Sequence, residues 1–496
     1  MKQGTCFSCR FFCAKGKGVY MKRVVIIGAG IVGAFLAYDL AHYQDVEVLV
    51  LEKHNDVCAE TSKANSAIVH AGYDPEDGTK KAILNKRGAD LYPAICKELH
   101  CDFKRCGAFV VAKNQEEEKV LDKLYQQGIK RGVSISYVDE IQLHQMEPNL
   151  QDTLKKGLWV PDTAIISPWK VCEALFEEAI LNGASLHLEE AVIKIEEHDS
   201  SYCVHTNKHH YTCDYVINAA GLSSAYIMNL IEEEPLFTIT PKRGQYYVLS
   251  KQAKDFVKHI IYPAPSKVGK GVLALPTSDG NILLGPTSEV LQEANMGTTT
   301  AGLEDIKTKL SLTMKNVPYQ YTIHTYSGCR PLGNHNDFYI EESKRHPGFI
   351  HLGCIDSPGL ASAPAISEYV IQTFLEPKGI HQRKSAWMNR EKPIVLKECT
   401  SDEKQALCKA YPAYGHMVCF CEQISEQEVI NCIHKPCGAT SIQGVKMRVR
   451  PGMGKCQGGY CEVEIAKILA KELQLPLEEV PYYETTYYHN AKEDAE

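Results

Sequence analysis

The hexapeptide GAGIVG, residues 28 to 33, limits the folds open to this chain more than any other stretch. It stands between RVVII, an apolar run from Arg23 to Ile27 that reads as a buried strand, and AFLAYDLAHY, which reads as a helix. In that setting Gly28, Gly30 and Gly33 form a G-x-G-x-x-G turn. Gly28 permits the tight turn, Gly30 lets a pyrophosphate approach the backbone, and Gly33 lets the helix pack closely on the strand. The free N–H groups at the helix start face phosphate. A second strand, VEVLVLEK, closes on Glu52, nineteen residues after Gly33, with Lys53 next to it. Its carboxylate is placed to accept hydrogen bonds from ribose hydroxyls. The pattern predicts a Rossmann-like dinucleotide-binding domain, against the alternative of a purely structural turn.

At 496 residues the chain exceeds one ordinary core, so two or three domains are expected. A net charge of −7 argues against a nucleic-acid surface. No apolar run reaches the roughly 20 residues of a membrane span. Twenty cysteines are scattered along the chain rather than packed into a short frame, which points to reduced thiols and metal sites in a cytoplasmic protein. Residues 1–20 hold Cys6, Cys9 and Cys13 in a basic leader; the expectation is a non-structural extension ahead of Met21, with a metal knuckle as the alternative.

Three later features favour FAD over NAD. The stretch ETSKANSAIVHAGYDP supplies small residues, among them Ser62, Asn65 and Ser66, to run beside a flavin. YVINAAG is a strand closing on Ala220 and Gly221. HPGFIHLGCIDSPGLASAPAISEYV reads as strand, loop and helix, and the helix start at Gly359, Leu360 and Ala361 is placed to stabilise charge at the N1–O2 edge of a reduced flavin. No second G-x-G-x-x-G occurs in strand context, so reducing equivalents must leave by another route. These segments, with GLWVPDTAIISP, KRGQYY and YSGCRPL, resemble the D-amino acid oxidase-like superfamily over residues 21–376. Within it the resemblance is to the branch of L-2-hydroxyglutarate oxidase and the large subunit of anaerobic glycerol-3-phosphate dehydrogenase.

Residues 237–250, 271–277 and 280–286 are β-rich with turns between them. They predict a mixed-sheet substrate cap, inserted at about 80–150 and 225–325, over the flavin. Arg330 in YSGCRPL is the candidate anchor for an anionic substrate, since a guanidinium offers a forked pair of donors. Tyr246 ranks above Arg243 as a second cap residue; alternation puts Lys242 and Arg243 on opposite faces without saying which faces inward. His70, in the segment that resembles the family's VHAG, is the candidate base; His351 in FIHLG is second, with a core role as the alternative.

Six cysteines crowd the C-terminal part. The thiols of CFC, Cys419 and Cys421, project to one side of an extended chain. Cys456 and Cys461 lie in glycine-rich GMGKCQGGYC, backbone able to wrap an inorganic core. Cys432 and Cys437 in CIHKPC read as packing or surface residues. Cys419, Cys421, Cys456 and Cys461 are therefore the predicted ligands of a 2Fe–2S cluster, zinc being the alternative metal. C-x-C, thirty-four residues, then C-x4-C resembles the bacterioferritin-associated ferredoxin-like module over 416–473, after a connector at 377–415 and before a tail at 474–496.

Flavin and cluster on one chain imply a dehydrogenase of a small anionic alcohol that passes single electrons to a partner subunit, a second flavoprotein or an iron–sulfur protein. The fused pair resembles glycerol-3-phosphate dehydrogenase, which makes sn-glycerol 3-phosphate the first expectation and L-2-hydroxyglutarate the second. A non-catalytic electron-transfer protein and a self-sufficient oxidase are the alternatives of other kinds.

Overall fold

The computed structural model describes residues 21–199, 201–265 and 271–486, so Cys6, Cys9 and Cys13 lie outside the described residues. The strand Lys22–Ile27 is inside a six-stranded sheet ordered Tyr339–Glu342, Phe349–Gly353, Tyr215–Asn218, Lys22–Ile27, Val46–Leu51, Ser185–His187. All neighbours are parallel except the edge strand Tyr339–Glu342. Such a sheet must be covered on both faces. Val24 and Ile26 pack with Phe35, Leu36, Phe176 and Ile366 of the flanking helices. Val25 and Ile27 pack with Tyr202 and Val204 of a three-stranded antiparallel meander, Val192–His198, Ser201–Thr206 and His210–Cys213.

The helix Ile31–Leu40 touches the sheet at Gly33, where an added Cβ would lie 2.0 Å from the Gly28 carbonyl oxygen. That oxygen belongs to the backbone and cannot move alone. Gly33→Ala should therefore cost about 2–3 kcal/mol of stability by overpacking, read as a lower thermal midpoint with FAD retained less well. A midpoint equal to that of the parent would refute the close approach.

The second large element is a nine-stranded mixed sheet formed between residues 108 and 333. Its longest pair, Ile239–Leu249 and Thr322–Gly333, is antiparallel and sets Lys242 opposite Arg330 and Tyr246 opposite Tyr326. The two tyrosine rings stack at 4.7 Å. The Rossmann-like domain, the mixed cap sheet and a C-terminal α-rich module are all present, as the sequence predicts.

Between 377 and 415 there is one α-helix, Ser401–Ala410, opened by a capping box of Thr400 and Glu403. The T-S-D-E signal was there to be read. Beyond it, the strand pair Met417–Cys419 and Ile424–Ser425 precedes helices Glu426–Ile433, Ile442–Val449 and Glu462–Leu473, which close around Val429, Val445, Ile465 and Leu469. No helix among the described residues is long and apolar enough to cross a membrane.

Candidate functional site

Four parallel strands end at one cavity. Lys22–Ile27 delivers Gly28, Val46–Leu51 delivers Glu52, Tyr215–Asn218 delivers Ala219 and Ala220, and Phe349–Gly353 leads to Ile355 and Asp356. This is where an open parallel sheet places its ligand. The cavity has a volume of about 370 Å³, within the roughly 300–1,000 Å³ of a small-molecule site.

Gly28, Gly30, Glu52, Lys53, Ser62, Asn65, Ser66, Ala220, Gly221, Gly359 and Leu360 border it, as do His70, Tyr246 and Arg330. Gly33 does not, consistent with a packing role. Ala361 does not either: it is fully buried, and its carbonyl backs onto Gly88. Only the first two residues of that helix face the cavity. Sequence reading also missed Glu190 to Ile193, Tyr226 and Pro286, which complete the wall from segments without a motif.

At the nucleotide end, Glu52 accepts from the Ala29 N–H at 2.7 Å and the His54 N–H at 3.0 Å. Burial raises its carboxyl against these bonds. Asn65 knits the loop beside it, donating to the Thr61 and Ser62 carbonyls while its own oxygen accepts from the Ala67 N–H. The N-termini of Ile31–Leu40 and Gly359–Val370 open onto the same cavity from opposite ends of the domain. Two amide-rich helix ends suit an anionic pyrophosphate and a ring that gains charge on reduction. FAD fits this cradle.

At the other end the cap closes the chamber. Tyr246 is buried and shares a 3.0 Å hydrogen bond with Ser66; burial raises its phenol, while Arg330 and Ser66 oppose the rise. Arg330 donates to the Thr287 carbonyl at 3.3 Å. His70 Nδ1 is 3.1 Å from the Tyr262 hydroxyl, and Asn85 holds the His70 carbonyl at 2.7 Å. The face of the strand is now decided: Arg243 points away, bonded to Glu289 at 2.8 Å and to the Gly297 carbonyl. Lys242 shares the face of Arg330 instead. His351 is a core residue, fully buried between Asn218 and Glu232, and burial lowers its imidazole to about 4.

In the C-terminal module, Cys421 Sγ lies 3.7 Å from Cys456 Sγ, and Cys419 accepts a hydrogen bond from the Cys461 thiol. The extended chain ends at Cys419, and a turn at Phe420 swings Cys421 to the surface. The bond with Cys461 lowers the Cys419 thiol and burial opposes it; N–H groups of Glu422, Gly452 and Cys421 lower it further, to about 6. Among the described residues no three His, Cys, Asp or Glu side chains are gathered to hold a single metal ion. Two pairs of thiols match the donor set of a two-iron core, two sulfurs to each iron, better than one zinc tetrahedron. Gly454 makes room, since a Cβ there would lie 2.3 Å from the Cys421 Cβ. Cys432 and Cys437 are buried in the core, where burial raises each thiol to about 12.

The fold and the two sites together define a flavoprotein oxidoreductase with an appended iron–sulfur module. Residues 23–373 match the FAD dependent oxidoreductase family and residues 417–471 the BFD-like [2Fe-2S] binding domain, and the chain belongs to the FAD dependent oxidoreductase family. A glycerol 3-phosphate dehydrogenase of Caloramator mitchellensis is 41% identical over 460 residues, 92% of this chain and 95% of that protein. An L-2-hydroxyglutarate dehydrogenase of Escherichia coli is 28% identical over 53% of this chain and 63% of that protein. Among solved structures, the dithionite-reduced L-alpha-glycerophosphate oxidase of Mycoplasma pneumoniae with FAD bound superposes with a TM-score of 0.70 and 27% identity, covering 75% of this chain and 98% of that one.

Proposed function

We propose that this enzyme oxidises sn-glycerol 3-phosphate to dihydroxyacetone phosphate and passes the electrons to a partner protein. The observation that carries this reading is a pair of cations on the cap. Lys242 and Arg330 are directly opposed on adjacent strands and so share a face. Among the described residues neither has a carboxylate within hydrogen-bond range. Burial, and then Arg330, lower the Lys242 ammonium. Two unmatched cations suit a phosphate dianion better than a single carboxylate.

FAD, when bound, supplies the hydride acceptor, and the cluster supplies a one-electron exit. Arg330 and Lys242 hold the phosphate and so fix the alcohol carbon near the ring. His70, whose Nδ1 lies 3.1 Å from the Tyr262 hydroxyl, accepts the hydroxyl proton. Tyr246 and Ser66 close the wall beside the substrate. All cysteines among the described residues are free, which supports the cytoplasmic assignment.

An anaerobic panel of glycerol 3-phosphate, 2-hydroxyglutarate, lactate and amino acids, followed by flavin bleaching, tests the reading. Glycerol 3-phosphate should bleach fastest, and Lys242→Met should raise its KM about tenfold, the worth of one partly buried charge-assisted contact. Bleaching by 2-hydroxyglutarate alone would move the enzyme to the second substrate class. Bleaching only by a reduced partner protein would make it an electron carrier.

A further inference from the structure

The loop from Lys53 to Ile68 has two sides. Lys53, His54, Glu60 and Ser62 border the FAD cavity. Asp56 faces the opposite way, into the iron–sulfur module. Its Oδ2 accepts from Arg448 at 2.8 Å and its Oδ1 from the same guanidinium at 2.9 Å. The side chains are 11% and 4% exposed, so the pair is buried. Arg448 also donates to the Cys437 carbonyl at 3.0 Å and to the Gly444 carbonyl at 3.1 Å. The helix Ile442–Val449 comes so near that a Cβ on Gly444 would lie 2.9 Å from Asp56 Oδ2.

The same loop is gripped at further points, among them Asn55, which donates to the Tyr483 carbonyl, and Thr61, which donates to the Cys329 carbonyl at 2.7 Å. Cys58 hydrogen-bonds with Cys172, whose thiol donates to the Ala29 carbonyl inside the glycine turn at 3.6 Å. Lys63 lies 4.3 Å over the Tyr483 ring of the C-terminal segment. Inside the loop Glu60 pairs with Lys53 and His54 and Asn65 bonds the Thr61 and Ser62 carbonyls, while the stretch 55–58 takes its contacts largely from outside the loop. One segment therefore carries FAD contacts on one side and the module's docking contact on the other.

We infer that docking of the iron–sulfur module through Asp56 and Arg448 holds this loop against FAD, so that FAD binding and module docking strengthen each other. Asp56 and Arg448 are positioning residues: neither borders the cavity, and both act through the loop. A buried ion pair stripped of one member leaves an uncompensated charge, which drives the surfaces apart. The loop then regains the freedom that docking had removed. Linkage makes the effect mutual: bound FAD favours the docked module as much as the docked module favours FAD.

The test uses the full chain carrying both cofactors, with Asp56→Asn, Arg448→Met and the double variant. FAD release after dilution, iron and sulfide content, and hydrogen exchange at 53–63 and 442–449 are measured on each. Each single variant should speed FAD release at least tenfold with cluster content unchanged, exchange should rise in both segments together, and the double variant should release FAD no faster than the worse single. Arg448→Met also removes bonds inside the module; should that variant fail to assemble its cluster, Asp56→Asn decides alone. Parent-like FAD release in Asp56→Asn while exchange rises at 442–449 would overturn the coupling. So would single effects that multiply in full in the double variant.

Discussion

Arg330→Ala is expected to raise the substrate KM by two to three orders of magnitude while the purified protein stays yellow. The guanidinium borders the chamber at its cap end and, among the described residues, is held only by the Thr287 carbonyl at 3.3 Å, which leaves donors for a ligand. Truncating one member of a desolvated charge pair costs about 3–4 kcal/mol, or roughly 100- to 1,000-fold in affinity. FAD should remain because the glycine turn, Glu52 and the loop at 61–67 belong to other elements. Substrate titration of flavin bleaching, with FAD content measured on the same sample, checks both halves. Loss of the flavin along with activity would mean that Arg330 supports the cofactor site, not the substrate.

Cys456→Ala should abolish the cluster and leave the flavin reducible by substrate. Cys456 lies 3.7 Å from Cys421, in the loop that runs from Arg450 to Cys461. The module spans residues 417–471, a size at which an apolar core by itself gives marginal stability and a metal centre contributes folding energy. Its proteolytic resistance should therefore fall as the cluster is lost. Cys432→Ala should keep the cluster, because that thiol is 1% exposed among Val429, Val445 and Ile465; its cost is a small cavity, about 1 kcal/mol. Iron and sulfide analysis of the two variants separates the cases. A cluster retained in Cys456→Ala and lost in Cys432→Ala would reverse the ligand assignment.

The nucleotide half of the site could be read in advance because its determinants are local. Gly28, Gly30, Gly33 and Glu52 lie within twenty-five residues of one another, and a strand–turn–helix forces them into one geometry. Spacing and the glycines around them likewise single out Cys419, Cys421, Cys456 and Cys461, which the fold brings together in two pairs. Ala361 shows the limit of such reading: one residue further along a helix turns the side chain from cavity to core.

The substrate half was different. The sequence of the strand Ile239–Leu249 establishes that Lys242 and Arg243 face opposite ways, since side chains alternate along any strand. It cannot establish which face covers the flavin, because that depends on how the cap sheet is set over a domain assembled from distant segments. Only the folded chain placed Lys242 across from Arg330 and sent Arg243 to Glu289. Likewise nothing near Asp56 announces a partner nearly four hundred residues away; |i−j| is 392 for its bond with Arg448. Alternation, turn geometry and helix starts operate over a few residues and are written locally. The pairing of surfaces is settled by burial summed over the whole molecule, and no short stretch contains it.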